Sequence, residues 1–173
     1  MTAKEFQKLV TEDKSDFLDR FLALLANLKI DYCVIGGLAV NAYAEPLITL
    51  DCDVIVVASR AEELEKELRA RFDVERFLHS LNVADKGSRV RVQIQTDPRY
   101  QSFLSRSTTR EVLERQLRVA AVEDLLQGKV WAYQDATRRG SKRQKDLLDI
   151  ARLLESHPDL AGKVPDDIRR KLL

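Results

Sequence analysis

Asp51 and Asp53 stand two residues apart in ITLDCDVIVV (residues 48–57), a run whose β-branched and apolar residues predict a central strand. Strand alternation puts both carboxylates on one face and turns Cys52 and Val54 toward the core. Carboxylates at that spacing repel each other unless positive charge joins them. A divalent ion held by oxygen donors would supply it, Mg2+ or Mn2+ being the expected cofactor. Arginine is the structural alternative, with Arg89 or Arg91 on a neighbouring segment as partner. Upstream, Gly36 and Gly37 close the short strand DYCVIGG and open the helical LAVNAYAE. Free backbone N–H groups at such a junction receive a phosphate, or the glycines simply form a tight turn needing positive φ. A phosphate cradle followed by a metal-binding carboxylate pair is the equipment of phosphoryl or nucleotidyl transfer.

A third carboxylate would complete that chemistry. The segment SRVRVQIQTD offers Gln93 and Gln95 on its polar face, and amides neither accept a proton at neutral pH nor ligate metal well. Asp97 has the same parity, although Pro98 is expected to end the strand there. The basic stretch TRRGSKRQK carries Arg138, Arg139, Lys142, Arg143 and Lys145. It reads either as a solvated face or as a contact for polyphosphate or an RNA backbone. Lys145 beside Asp146 is compatible with a surface pair. Lys129 borders an apolar helix face (Leu125, Leu126, Val130, Trp131), so it either snorkels to solvent or reaches a ligand. Trp131 and Tyr133 are expected in the core. His79 and His157 are isolated, and no serine or cysteine has a nucleophile's context, which excludes triad hydrolases and zinc sites.

The order GG, short helix, T-x-D-x-D (Thr49, Asp51, Asp53) resembles the core of the DNA-polymerase-β-like nucleotidyltransferases. The closer resemblance is to the small bacterial branch that includes AbiEii-type toxins, and it covers roughly residues 30–155. EDLLQGKVWAY followed by KRQKDLLDIARLL is similar to that branch's C-terminal helical pair. The resemblance implies an α/β fold, a small mixed sheet flanked by helices with a helical segment closing over a nucleotide. It implies Gly36, Gly37 and Thr49 at the triphosphate, Asp51 and Asp53 as metal ligands, and Lys129, Lys145 and Asp146 near the nucleotide. Where the branch often carries an arginine before the threonine, this chain has Leu47, and the branch's third carboxylate on the next antiparallel strand has no clear counterpart. The implied activity is transfer of a nucleoside monophosphate from a nucleoside triphosphate to an unidentified acceptor. RNA would be reached through Arg138, Arg139, Lys142 and Arg143, and an antitoxin-like protein is an expected partner. A nucleotide-binding or interaction protein without catalysis is the alternative.

The positioning elements follow from hydrophobic spacing. Phe6, Leu9, Val10, Phe17, Phe21, Leu24, Leu25 and Leu28 predict one or two amphipathic helices over 4–28, broken near Thr11–Asp16. SRAEELEKELRARF predicts a surface helix capped by Ser59 and Glu62. DVERFLHS and SRVRVQIQT alternate as strands, with Val90, Val92 and Ile94 opposite Arg89, Arg91, Gln93 and Gln95. A short helix is expected near 99–105, a strand pair in TTREVLE and QLRVA, then two helices. The second of these has Ser141 and Gln144 in capping-box register.

With 173 residues, the chain fits a nucleotidyltransferase-like core over 1–120 and a packed helical segment over 121–173. The net charge of +1 excludes a polyelectrolyte binder, so any nucleic-acid contact must be a local patch. No apolar run approaches a membrane span, and the N-terminal stretch MTAKEFQKLVTEDK lacks a signal peptide's apolar core; a cytoplasmic location is expected. Cys33 and Cys52, both in predicted strands, read as buried thiols rather than a disulfide.

Overall fold

The computed structural model describes residues 1–172. Its centre is one mixed sheet of seven strands: β1 (Tyr32–Ile35), β2 (Asp51–Val56), β3 (Asp73–Arg76), β4 (Ser80–Ala84), β5 (Arg91–Gln95), β6 (Thr108–Val112) and β7 (Arg115–Val119). The spatial order is β3-β4-β5-β2-β1-β7-β6. β2 lies in the middle, antiparallel to β1 and parallel to β5. Its Cys52, Val54, Ile55 and Val56 are buried, as the β-branched run predicts for a strand covered on both faces. The pairing of β2 with β5 sets Asp51 opposite Arg91 and Asp53 opposite Gln93. The strand expected to run antiparallel beside the aspartates therefore runs parallel to them.

Eight α-helices flank the sheet among the described residues: α1 (Ala3–Val10), α2 (Phe17–Asn27), α3 (Gly36–Val40), α4 (Ala61–Arg69), α5 (Phe103–Arg106), α6 (Val122–Gln134), α7 (Gly140–Ser156) and α8 (Asp166–Arg169). The expected break between α1 and α2 is present. Glu12 and Asp16 take positive φ there, and the Asp13 carboxylate accepts the N–H groups of Phe17 and Leu18. That carboxylate satisfies orphan donors of the first turn of α2. Phe17, Phe21 and Leu25 of α2 join Leu64 and Leu68 of α4, Leu125 and Leu126 of α6, and Ile150 and Leu153 of α7 in one core with the sheet. The side-chain spacing within each helix explains this, since positions three and four apart share a face.

Three local expectations are corrected. DVERFLHS is not one strand: it bends back at Phe77–His79, and β4 begins at Ser80. Arg60 N-caps α4, with Ser59 in a preceding 3-10 turn, and no side chain bonds the cap. Arg139 occupies the N-cap of α7, and Ser141 and Gln144 do not form a capping box. Both helices are instead held by the buried residues along their inner faces, a tertiary term that outweighs capping. Among the described residues no helix is long and apolar enough to cross a membrane.

Candidate active site

β1 ends at Ile35, and the chain turns at once into α3 through Gly36, whose φ is +72°. A Cβ at residue 36 would sit inside van der Waals contact of Asp53 Oδ2. The turn therefore needs glycine twice, for its backbone and for the room it leaves the carboxylate. Ile35 pairs in register with Asp53, so turn and carboxylate meet at the end of the central strand pair. They form one edge of a cleft of about 610 Å³, whose lining includes Gly36, Asp53, Gln93, Asp97, Lys129 and Arg138.

Asp51 and Asp53 share a strand face but have different surroundings. Asp51 accepts from Arg91 Nε at 2.9 Å and from Lys142 Nζ at 2.8 Å, one cation on each oxygen. Burial alone would raise its pKa, but Lys142 and Arg91 outweigh it and hold the carboxyl below the usual range. Among the described residues Asp53 has no ion pair within 4 Å. Burial pushes its pKa up and prevails over the opposing charge of Lys129, while the neighbouring Asp51 adds to the rise and Arg138 and Lys142 work against it. The arginine alternative thus holds for Asp51 through Arg91, while Arg89 pairs with Glu12 instead.

Lys129 does not snorkel. It is buried in α6 and meets two carboxylates of α7, Asp146 at 3.1 Å and Asp149 at 2.8 Å. Desolvation would lower its pKa, yet the two carboxylates prevail and raise it. Asp146 is fully buried and also accepts from Arg138 at 2.6 Å, so it is not the surface partner of Lys145. Asp149 accepts from Arg152 at 2.8 Å, and Arg152 in turn donates to Asn41 Oδ1 and to the Glu45 carbonyl. Asn41 bonds both backbone groups of Leu47. A continuous polar chain therefore runs from Arg138 at the cleft to the loop that delivers β2.

The structure brings Gly36, Asp53, Asp97 and Lys129 into the cleft lining, with Asp51 beside it on β2. It does not bring in Thr49 or Lys145. The Thr49 hydroxyl faces the Asp51 backbone N–H, and Lys145 is exposed on α7 outside the lining. Gly37 backs onto Asp149 rather than the cleft. Asp97 follows the end of β5 and is bound by the Arg99 side chain and backbone N–H, both at 3.0 Å. Burial works to raise its pKa, and those Arg99 contacts bring it below the usual range. Of the basic stretch, Arg138 and Lys142 are spent on Asp146 and Asp51, and Arg143 donates to the Tyr133 carbonyl. Arg139 stays exposed.

Trp131 is not a core residue. It is half-buried in the cleft wall, stacked on Phe103 and approached by Arg99 at 5.0 Å from the ring centre. Sequence spacing could not separate this wall from the core face one residue away. Asp149 and Arg152 were also missed, although polar residues recur every third position through Asp146, Asp149 and Arg152 on the face that carries Ile150 and Leu153, a pattern that asks for buried partners.

Two oxygen donors on one strand face suit a single divalent ion, the remaining positions being left to water and phosphate. Lys142 on Asp51 is a stand-in cation at that spot, and among the described residues no cation pairs with Asp53. Gln93 lies beside Asp53 where a further carboxylate would complete a fuller site. Among the described residues no three histidine, cysteine or acidic side chains converge on one ion position.

The family model described as "Nucleotidyl transferase AbiEii toxin, Type IV TA system" matches residues 39–172. No curated protein matches the chain. Among solved structures, the antibiotic-resistance factor ANT(2″)-Ia superposes with a TM-score of 0.61 at 13% identity, over 92% of this chain and 91% of that one. The lincosamide antibiotic adenylyltransferase LnuA, solved with lincomycin bound, gives 0.56 at 12% identity over 79% and 95%. An antigenic nucleotidyltransferase-like protein from Paracoccidioides brasiliensis gives 0.51 at 19% identity over 94% and 93%. At these identities the likeness is one of fold, and it agrees with the mixed sheet flanked by helices.

Proposed function

The chain belongs to the AbiEii nucleotidyltransferase toxin family, and from that premise we propose that it transfers a nucleoside monophosphate from a nucleoside triphosphate to an acceptor hydroxyl. The observation that carries this reading is Asp53, a carboxylate with no ion pair among the described residues, at the edge of the cleft and pressed against the positive-φ turn at Gly36. A magnesium ion held by Asp53 and Asp51 would polarise the phosphates and offset their charge. The cleft needs such a charge from outside. Arg99, Lys129 and Arg138, its lining cations, are each already paired with a carboxylate, so a bare triphosphate would meet no free positive group.

The residues then divide the work. Gly36 leaves the room in which the Asp53 carboxylate stands at the cleft edge, where the phosphate chain would approach. Lys129, fixed by Asp146 and Asp149, holds its charge toward Asp53 without needing to reorganise. The acceptor oxygen attacks the α-phosphorus, the bond to the bridging oxygen breaks, and pyrophosphate leaves. Asp97 is the proposed recipient of the hydroxyl proton. Arg99 keeps it ionised but weakly basic, which predicts modest base catalysis. The acceptor is open. ANT(2″)-Ia has been solved with adenylyl-2″-tobramycin, and LnuA with lincomycin, so small hydroxylated molecules belong beside RNA on the list to be tried. The family description also motivates a toxin role and an antitoxin partner, to be tested by growth arrest on expression.

A second reading, nucleotide binding without transfer, has its own support in Gln93 beside Asp53 and in the two cations on Asp51. Calorimetric titration with the four nucleoside triphosphates, with and without magnesium, tests both. Magnesium-dependent binding abolished in Asp53→Asn supports the site. Release of pyrophosphate with an acceptor pool then distinguishes transfer from binding, and no binding of any triphosphate would sink both readings.

A further inference from the structure

Lys142 lies in the first turn of α7, four residues before Asp146, and reaches across to β2. Its ammonium sits 2.8 Å from Asp51 Oδ2 while Arg91 holds Oδ1 at 2.9 Å. Each oxygen of Asp51 thus already faces a cation where a metal ion would approach. The two cations differ in how firmly they are placed. Arg91 faces Asp51 in strand register, its backbone fixed by the ladder of β2 and β5 and its side chain 61% exposed. Lys142 comes from another element on a flexible four-carbon stem, and its side chain is about a quarter exposed (28%). Of the two, only the lysine reaches Asp51 from outside the sheet, so its departure moves no strand residue.

Resting on the reading above, we propose that Lys142 is an exchangeable counter-ion: it holds Asp51 in the free protein and passes to the triphosphate when a divalent ion takes its place. Its short path keeps a positive charge beside the two aspartates in both states. The exchange is favourable only when ion and phosphate arrive together, because a divalent ion alone must evict a lysine with no new partner for it. Binding of metal and nucleotide is therefore coupled through one side chain. Lys142 would be a phosphate-binding residue, distinct from the buried and permanently paired Lys129.

The test is a pair of titrations on the full chain, Mn2+ alone followed by electron paramagnetic resonance, and Mg-ATP followed by calorimetry, on wild type, Lys142→Met and Asp51→Asn. The expected result is opposite signs in Lys142→Met: Mn2+ alone binds at least tenfold tighter, while Mg-ATP binds at least tenfold weaker. Asp51→Asn should lose both. A purely structural lysine would weaken both or neither, and either pattern overturns the proposal. Lys142→Gln repeats the measurement should the methionine variant not fold. If wild type binds Mg-ATP and Lys142→Met moves both affinities the same way, this inference fails alone. If neither wild type nor variant binds any nucleotide, the transferase reading has failed beneath it.

Discussion

Gly36 and Asp53 are mutually dependent: the residue 36 backbone occupies the left-handed region, and the space a Cβ would fill belongs to the Asp53 carboxylate. Gly36→Ala should therefore lose about 1–3 kcal/mol of stability from strained backbone alone. It should also push Asp53 out of the cleft edge and abolish magnesium-dependent nucleotide binding. Gly37→Ala is the control. Its Cβ would meet only Asp149 at 3.5 Å, ordinary contact, and the position is helical. Denaturant melts of the two variants should separate, with Gly37→Ala within about 1 kcal/mol of wild type.

The contrast shows what the sequence could carry. Glycine before a helix and aspartates two apart on a strand are local patterns, and β1, α3 and β2 fall where those patterns put them. The Val90-Val92-Ile94 alternation was equally plain, and those three residues are buried. The hairpin at Phe77–His79 was not visible, because no glycine, proline or asparagine marks the turn. Nor could spacing reveal the partners of Lys129, which lie on a different helix at Asp146 and Asp149. Charge runs were the least informative. TRRGSKRQK reads as a patch for an anion, yet most of its cations bind residues of this chain. Ion pairing between distant elements is a tertiary property, and a single sequence does not encode it locally.

The two aspartates should respond oppositely to pH. Asp51 has a depressed pKa, so it contributes stability above the ordinary aspartate value of 3.8, and that contribution is lost as pH falls through its lower folded value. Asp53 has a raised pKa, so the folded state costs free energy once the carboxyl ionises, and stability falls as pH rises from 3.8 through its higher folded value. Asp53→Asn should accordingly be as stable as wild type or more so at pH 7 while losing nucleotide binding. Asp51→Asn should be less stable at pH 7, with the difference shrinking below pH 4. Melting temperatures of both variants between pH 3 and pH 8 check the signs.

Lys129→Met should be the most damaging of these substitutions. It strands two carboxylates, one of them wholly buried in Asp146. Breaking a buried pair by removing one partner costs about 3–5 kcal/mol. The low end is expected, because Arg138 still meets Asp146 and Arg152 still meets Asp149. Equilibrium unfolding measures the loss, and Lys129→Met with Asp146→Asn should recover part of it. Additive losses in the double variant would mean the pair is not coupled.

The chain has a single tryptophan, and Trp131 lies in the cleft wall between Phe103, which it stacks on, and the Arg99 guanidinium. Its emission therefore reports on one place only. A ligand filling the outer cleft must change the solvent contact of the indole or displace Arg99, whose other partner is Asp97. Mg-ATP, or an acceptor added after it, should shift or quench that emission by a saturable amount. Arg99→Met should alter the starting spectrum, since it removes the cation over the ring. It should also release Asp97 toward the ordinary carboxylate range, making it the stronger base. If Asp97 receives the acceptor proton, that variant keeps nucleotide binding and its transfer rate rises at pH values near 7. A transfer rate unmoved by Arg99→Met, with Asp97→Asn equally active, would remove Asp97 from the chemistry and leave the proton to solvent.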